Sequence, residues 1–296
     1  MQSYHDSWEN NLIRERFEVA YDDYMVNNVW TDDDICSFSR VDVVQAVMQL
    51  KNGKAAGADG ITAEHIKYAS DEIIDILTWC YNMCIKHSYV PSYFGASIIC
   101  PVPKKTGICS EFEHYRPISL ICMFSKVFET CLNAKFIDRV KINDMQFGFT
   151  RDGGCSKALF AMRSVVEYFT EHGSAVYLAS LDVSKAYDCV NHCELLRQLI
   201  VRKLPRSIIS LVYYWYGCLV GVVRWEHVLS EAFNIRSGVR QGSPWSPWLF
   251  NLIIDELVVA MEKHGYGCYI RNVFAGCLLY ADDIILISAS IIKLQY

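Results

Sequence analysis

Cys277-Leu278-Leu279-Tyr280-Ala281-Asp282-Asp283-Ile284-Ile285-Leu286-Ile287-Ser288 joins two short apolar runs through an Ala-Asp-Asp step. Short apolar runs bounded by polar residues read as strands, so the stretch predicts a β-hairpin with carboxylates at its tip. Two adjacent aspartates repel each other unless cations neutralise them. An isolated Asp-Asp pair is ordinarily just a turn. Here both flanks are apolar, which sets the tip at the edge of a core. Carboxylates held on rigid strands suit a hard, oxygen-seeking cation such as Mg²⁺.

Upstream, Val176–Val183 (VYLASLDV) reads as a strand ending near Asp182, with a helix expected over Ser184–Asp188. Taken alone, Asp182 is more often a helix cap than a ligand. With Asp282 and Asp283 it completes a three-carboxylate set. Such a set can hold two divalent ions about 3.5–4 Å apart, one activating an attacking oxygen and one steadying the leaving oxygen. That is phosphoryl-transfer chemistry. A third block, Ser237–Pro247 (SGVRQGSPWSP), is a tight polar loop where a ligand can bind. Ser246 is expected to cap the helix that follows, with Pro247 in its first turn. Leu249, Leu252, Ile253, Leu257, Ala260 and Met261 mark that helix's apolar face, and Gly265 its stop.

The rest of the chain reads as mixed helix and strand without regular βαβ repetition, hence α+β. Helices are expected over Arg40–Leu50, about Asp71–His87, about Ser125–Val140 and near Lys157–His172, with a strand over Ala96–Pro103. With 52% hydrophobic and 13% aromatic residues, the 296-residue chain can bury a substantial core. Its thirteen cysteines are scattered and none has C-x-x-C spacing. This argues for free thiols in a reducing intracellular compartment and against a zinc knuckle. His192, beside Cys193, is expected on a surface helix. The first residues lack the basic start and apolar run of a secretory leader, so the chain is not expected to be secreted.

Ser207–Val223 carries no charge, but it is short for a membrane span and holds two glycines. It predicts a buried helix to about Tyr216 and then a strand, with no membrane association. Net charge is −5, yet residues 1–35 hold nine acids and two bases, so the remainder is slightly positive. Any grip on phosphate must therefore be local.

LDVSKAYD (Leu181–Asp188), GVRQGSPWSP with LFN (Gly238–Asn251) and YADD (Tyr280–Asp283) resemble, in this order, the successive palm motifs of reverse transcriptases. NGKAAGADGITAEHIK, ICPVPKKTG, YRPISL with FSKVFE, and QFGF are similar to the finger motifs of the non-LTR, LINE-type retrotransposon enzymes. The resemblance runs from about Trp30 to Ser288. It implies a right-hand polymerase fold: an acidic extension over 1–39, fingers over 40–175 and palm over 176–296. The family continues into a thumb, expected to be absent because the chain stops at Tyr296.

What the resemblance implies chemically is an RNA-directed DNA polymerase that extends a DNA primer on an RNA template with dNTPs. Two Mg²⁺ ions serve it, with Mn²⁺ as a substitute, held by Asp182, Asp282 and Asp283. Tyr187 matches the bulky gate against a ribose 2′-OH. Gln241 and Gly242 match the positions that approach the incoming nucleotide, and Lys104 and Arg116 the basic finger residues on its triphosphate. Trp245 and Trp248 replace the family's leucines, which predicts overpacking worth about 1–3 kcal/mol. TRDGGCS over 150–156 departs from the family's basic loop, and Ala58 stands where it has proline. Two other readings stand beside it: an inactive, truncated transposon relic with at most nucleic-acid binding, which shares this fold, and a viral RNA-directed RNA polymerase, whose signature would be Gly in place of Ala281.

Overall fold

A computed structural model describes residues 36–104, 111–151 and 153–295, with positions 15, 18, 19 and 21–24. The rest of the acidic lead-in over 1–35 lies outside the described residues. In chain order the main elements are α1 (Arg40–Gln49), α2 (Glu72–His87), β1 (Ala96–Pro103), β2 (Tyr115–Ile121), α3 (Met123–Phe136), α4 (Cys155–Glu171), β3 (Tyr177–Asp182), α5 (His192–Val201), α6 (Arg206–Gly217), β4 (Val220–Trp225), α7 (Ser246–His264), β5 (Cys277–Tyr280) and β6 (Asp283–Ser288). The architecture is α+β, and the strands expected over Ala96–Pro103, in Val176–Val183 and in the Cys277–Ser288 hairpin are present.

Two compact units interleave along the chain. The first takes residues 1–139 and 190–246, the second 140–189 and 247–296. In the first unit β1 runs antiparallel to β2, from Ser97 opposite Ile121 to Pro103 opposite Tyr115, and parallel to β4. Helices bury one side around Phe128, which is 0% exposed. Its ring meets Tyr81 at 5.1 Å, Trp215 at 5.7 Å and Phe94 at 5.8 Å. Such aromatic pairs contribute about 0.5–1.5 kcal/mol each beyond the area they bury.

The uncharged stretch Ser207–Val223 is the buried helix α6 followed by β4, as its composition predicts. Ile208, Ile209, Leu211, Val212 and Trp215 all point into the unit's interior. Among the described residues no helix is long and apolar enough to cross a membrane. Every described cysteine is a free thiol.

In the second unit the strand order is β3-β6-β5, all antiparallel. Strand β5 alternates between two cores. Leu278 joins Val165 of α4 and Ile287, while Cys277 and Leu279 join Val258 of α7 and Ile284. A strand covered on both faces must be apolar throughout, which is why CLLY shows no alternation. Alongside β5, Phe147 N donates to Leu279 O (2.8 Å) and Leu279 N to Met145 O (2.9 Å). The QFGF segment therefore extends the hairpin's own sheet.

Three local expectations are corrected. Ser184–Asp188 is a run of turns, not a helix. Lys185 sits left-handed at φ +53, and its carbonyl takes both Asp188 N and Cys189 N. The helix waits until His192, where Asn191 Oδ1 caps it by accepting from Cys193 N and Glu194 N. Ser246 does not cap α7. Its own N–H donates to Ser243 Oγ at 3.3 Å, a capping-type bond made three residues earlier, and its hydroxyl is buried without a partner. His192 is half-buried rather than a surface residue, with Nε2 at 2.8 Å from Gly238 O.

Candidate active site

The antiparallel register of β3 and β6 sets Asp182 directly opposite Asp283. Directly opposed residues share a face, with Cβ atoms about 4.5–5.5 Å apart. Asp283 also faces Tyr280 across the hairpin, so Ala281 and Asp282 form its tip. Both Asp182 and Asp283 are exposed, and Asp282 is half-buried. Two like charges on opposed strand positions destabilise the pairing unless something positive lies between them.

Among the described residues no three acidic, histidine or cysteine side chains close round one point. The backbone supplies an open pair of carboxylates with a third at the next residue. All-oxygen donors and an unclosed shell suit Mg²⁺, which takes one or two carboxylates and completes its sphere with water and substrate oxygens.

Tyr187 belongs to the same unit. Its ring stacks on Phe250 of α7 (centroids 4.6 Å, interplanar 15°) and meets Phe149 edge-on at 6.4 Å. The hydroxyl is buried without a hydrogen-bond partner. Burial, and then the nearby charge of Asp282, push the phenol above its ordinary range.

The four other predicted residues lie in the first unit. Arg116 faces Val102 across the β1–β2 ribbon. Lys104 continues β1 at the same end, where its N–H donates to His114 O at 2.8 Å. Both side chains are exposed. The Gln241–Gly242 loop docks on β2, with Ser119 N donating to Gln241 O at 2.7 Å. Gly242 sits at φ +115, and a Cβ there would lie 2.9 Å from Ser119 O, so glycine is what lets the loop lie this close. Trp245 and Trp248 are 1% and 2% exposed, so both indoles are core filling.

Sequence reasoning missed what holds that loop. Glu129 on α3 is 1% exposed, and its Oε1 accepts from Arg240 Nη2 at 2.6 Å. Its Oε2 accepts from Ser243 Oγ and, at 3.4 Å, from Trp245 N. Arg240 also donates from Nη1 to Phe94 O (2.7 Å) and lies over the Trp215 ring (5.4 Å). One buried ion pair thus grips both sides of Gln241. The available signal was Glu129 itself, an acid between Phe128 and Cys131 one turn after Ser125 on a helix face that is mostly apolar.

The second unit thus carries a strand-borne carboxylate pair with a third aspartate beside it. A family model described as reverse transcriptase (RNA-dependent DNA polymerase) matches residues 102–295, and the chain belongs to that family. It is 26% identical over 285 residues to the retrovirus-related Pol polyprotein from type-2 retrotransposable element R2DM of Drosophila melanogaster, covering 94% of this chain and 25% of that one. It is 28% identical over 260 residues to the probable RNA-directed DNA polymerase from transposon X-element of the same fly, covering 86% and 27%. The chain thus spans about a quarter of the length of these curated relatives. A solved structure of apo telomerase from Candida tropicalis, truncated from its C-terminal domain, aligns over 76% of this chain and 50% of that one. Its TM-score is 0.47 at 15% identity.

Proposed function

We propose that this chain is the polymerase portion of a non-LTR retrotransposon protein. It adds dNTPs to a DNA primer 3′-OH under the direction of an RNA template. The observation that carries this reading is the register that sets Asp182 opposite Asp283, with Asp282 at the adjoining tip. Asp182, Asp282 and Asp283 would hold two Mg²⁺ ions, for which Mn²⁺ can substitute. Bound there, divalent ions supply charge neutralisation for an in-line phosphoryl displacement.

The chain's own residues account for the rest. The sheet fixes the carboxylates before substrate arrives, so little reorganisation is needed at the moment of reaction. Tyr187, wedged between Phe250 and Phe149, is the rigid wall that excludes a ribose 2′-OH. Lys104 offers a point charge and Arg116 a planar fork to a triphosphate. The Gln241 loop, held by the buried Arg240–Glu129 pair, presents an amide and, at Gly242, a close backbone approach to a nucleotide. In this reading the second unit carries the palm chemistry and the first the finger contacts. The setting is intracellular, in nucleus or cytoplasm.

The test is Mg²⁺-dependent extension of oligo(dT) on poly(rA), with Asp282→Asn as control. Wild-type extension that the variant loses by at least a thousandfold supports the reading. Equal activity in the two chains overturns the carboxylate assignment, and no extension by the wild type overturns the polymerase reading for this chain.

A further inference from the structure

The tip of the catalytic hairpin is held in a conformation that its own sequence does not favour. Ala281 has φ +58, a left-handed backbone that disfavours any residue bearing a Cβ. A strained, non-glycine residue persists only where its surroundings enforce it. Hairpin tips that need this conformation ordinarily use Gly or Asn.

The enforcement comes from Gln146. This side chain is 3% exposed, and its amide meets both backbone polar groups of Ala281. Ala281 N donates to Gln146 Oε1 at 3.0 Å, and Gln146 Nε2 donates to Ala281 O at 3.3 Å. The same Oε1 takes Gly148 N at 2.7 Å. The clasp is itself fixed from behind. Gln146 sits in a parallel bridge with Leu279 of β5. Asn251 of α7, 1% exposed, donates from Nδ2 to Gly148 O at 2.9 Å. Gly148 passes so close to the tip that a Cβ on it would lie 2.2 Å from Ala281 N. All these groups belong to the second unit.

We propose that Gln146 is a positioning residue for the carboxylate tip. By clasping Ala281 in its left-handed state, it fixes the direction in which Asp282 and Asp283 leave the sheet. This rests on the reading of Asp182, Asp282 and Asp283 as the metal-holding set. It assigns to the QFGF segment a place in the metal cradle.

The test reads metal affinity and backbone protection besides activity. In the wild-type chain the Ala281 and Gly148 amides should resist hydrogen exchange as well as Leu279 N–H does. Fast exchange at Ala281, like that of an open tip, overturns the clasp without any variant being needed. Gln146→Leu, which keeps bulk but removes the bonds to Ala281 and Gly148, should weaken Mn²⁺ binding measured by electron paramagnetic resonance about tenfold, equivalent to ~1.4 kcal/mol. It should also unprotect the Ala281 amide.

Adding Ala281→Gly to Gln146→Leu should recover much of the lost affinity, because glycine adopts positive φ without help. Unchanged Mn²⁺ affinity in Gln146→Leu, or no recovery in the double variant, overturns the proposal. If the wild type binds Mn²⁺ with this dependence yet extends no primer, the polymerase reading fails while the clasp stands.

Discussion

Removing the charge of Glu129 should destabilise the first unit more than any change at an exposed position such as Lys104 or Arg116. The carboxylate is 1% exposed and its partner Arg240 side chain 6%, with 2.6 Å between them. Glu129→Gln keeps the shape but leaves a guanidinium buried with only a carbonyl, Phe94 O, and a neutral amide to face. Breaking such a pair from one side costs about 3–5 kcal/mol, because the surviving charge cannot regain water. Arg240→Met should cost a similar amount, since Glu129 would then rely on Ser125, Ser243 and Trp245 N alone.

The double variant removes the stranded charge but still leaves neutral donors without an acceptor, at about 1–3 kcal/mol. It should therefore be much less damaged than the sum of the singles, with a coupling of about 2 kcal/mol or more. Urea unfolding of the four chains, followed by tryptophan fluorescence near Trp215 and Trp245, measures this directly. Single-variant costs below about 1 kcal/mol, or additivity within about 0.5 kcal/mol, would refute the reasoning. Because the pair holds the residues on either side of Gln241, dNTP KM should rise in the singles before the fold is lost.

Tyr187→Phe should be neutral or stabilising by about 1 kcal/mol, since the buried hydroxyl it removes has no partner. Tyr187→Val, by removing the wall that stacks on Phe250, should raise ribonucleotide incorporation at least tenfold. Sugar discrimination equal to wild type in that variant would argue against the gate. Burial holds the His192 imidazole below its ordinary pKa, so the folded chain takes up that proton less readily than the unfolded one. The stability its neutral form contributes is complete above about pH 6.5 and is lost as pH falls through the lower folded value. The urea midpoint of wild type should thus fall more steeply than that of His192→Gln between pH 7 and 5, and parallel slopes would contradict this.

Local patterning carried the strands and the hairpin because their physics is local. The run CLLYADDIILIS leaves one way to bury its apolar residues and keep its carboxylates wet, and the structure takes it. The ending of β3 at Asp182 was equally legible, since a polar residue closes an apolar run. The register opposing Asp182 to Asp283 was not, because pairing between distant strands depends on how two cores fill, not on either strand. Lys185 misled for a different reason. Its left-handed backbone breaks the expected helix after Asp182, yet nothing in a lysine announces positive φ, as glycine would. Ala281 hides the same conformation at the hairpin tip.

The helix cap was misplaced by three residues because Ser243 and Ser246 are both competent, and only the position of Glu129 favours Ser243. The tryptophans at 245 and 248 read as overpacking against a family of leucines, and both are buried. A substitution is judged by the volume around it, which one sequence does not display. A sequence reading does not display such interleaving: the second unit is built from two segments separated by 190–246. The residues it missed share one character. Glu129, Arg240, Gln146 and Asn251 are polar side chains that spend their hydrogen bonds on other parts of the chain, inside the protein. All four lie inside the quoted family motifs, yet their types announce no chemistry, because their work is to hold the backbone on which the exposed residues stand.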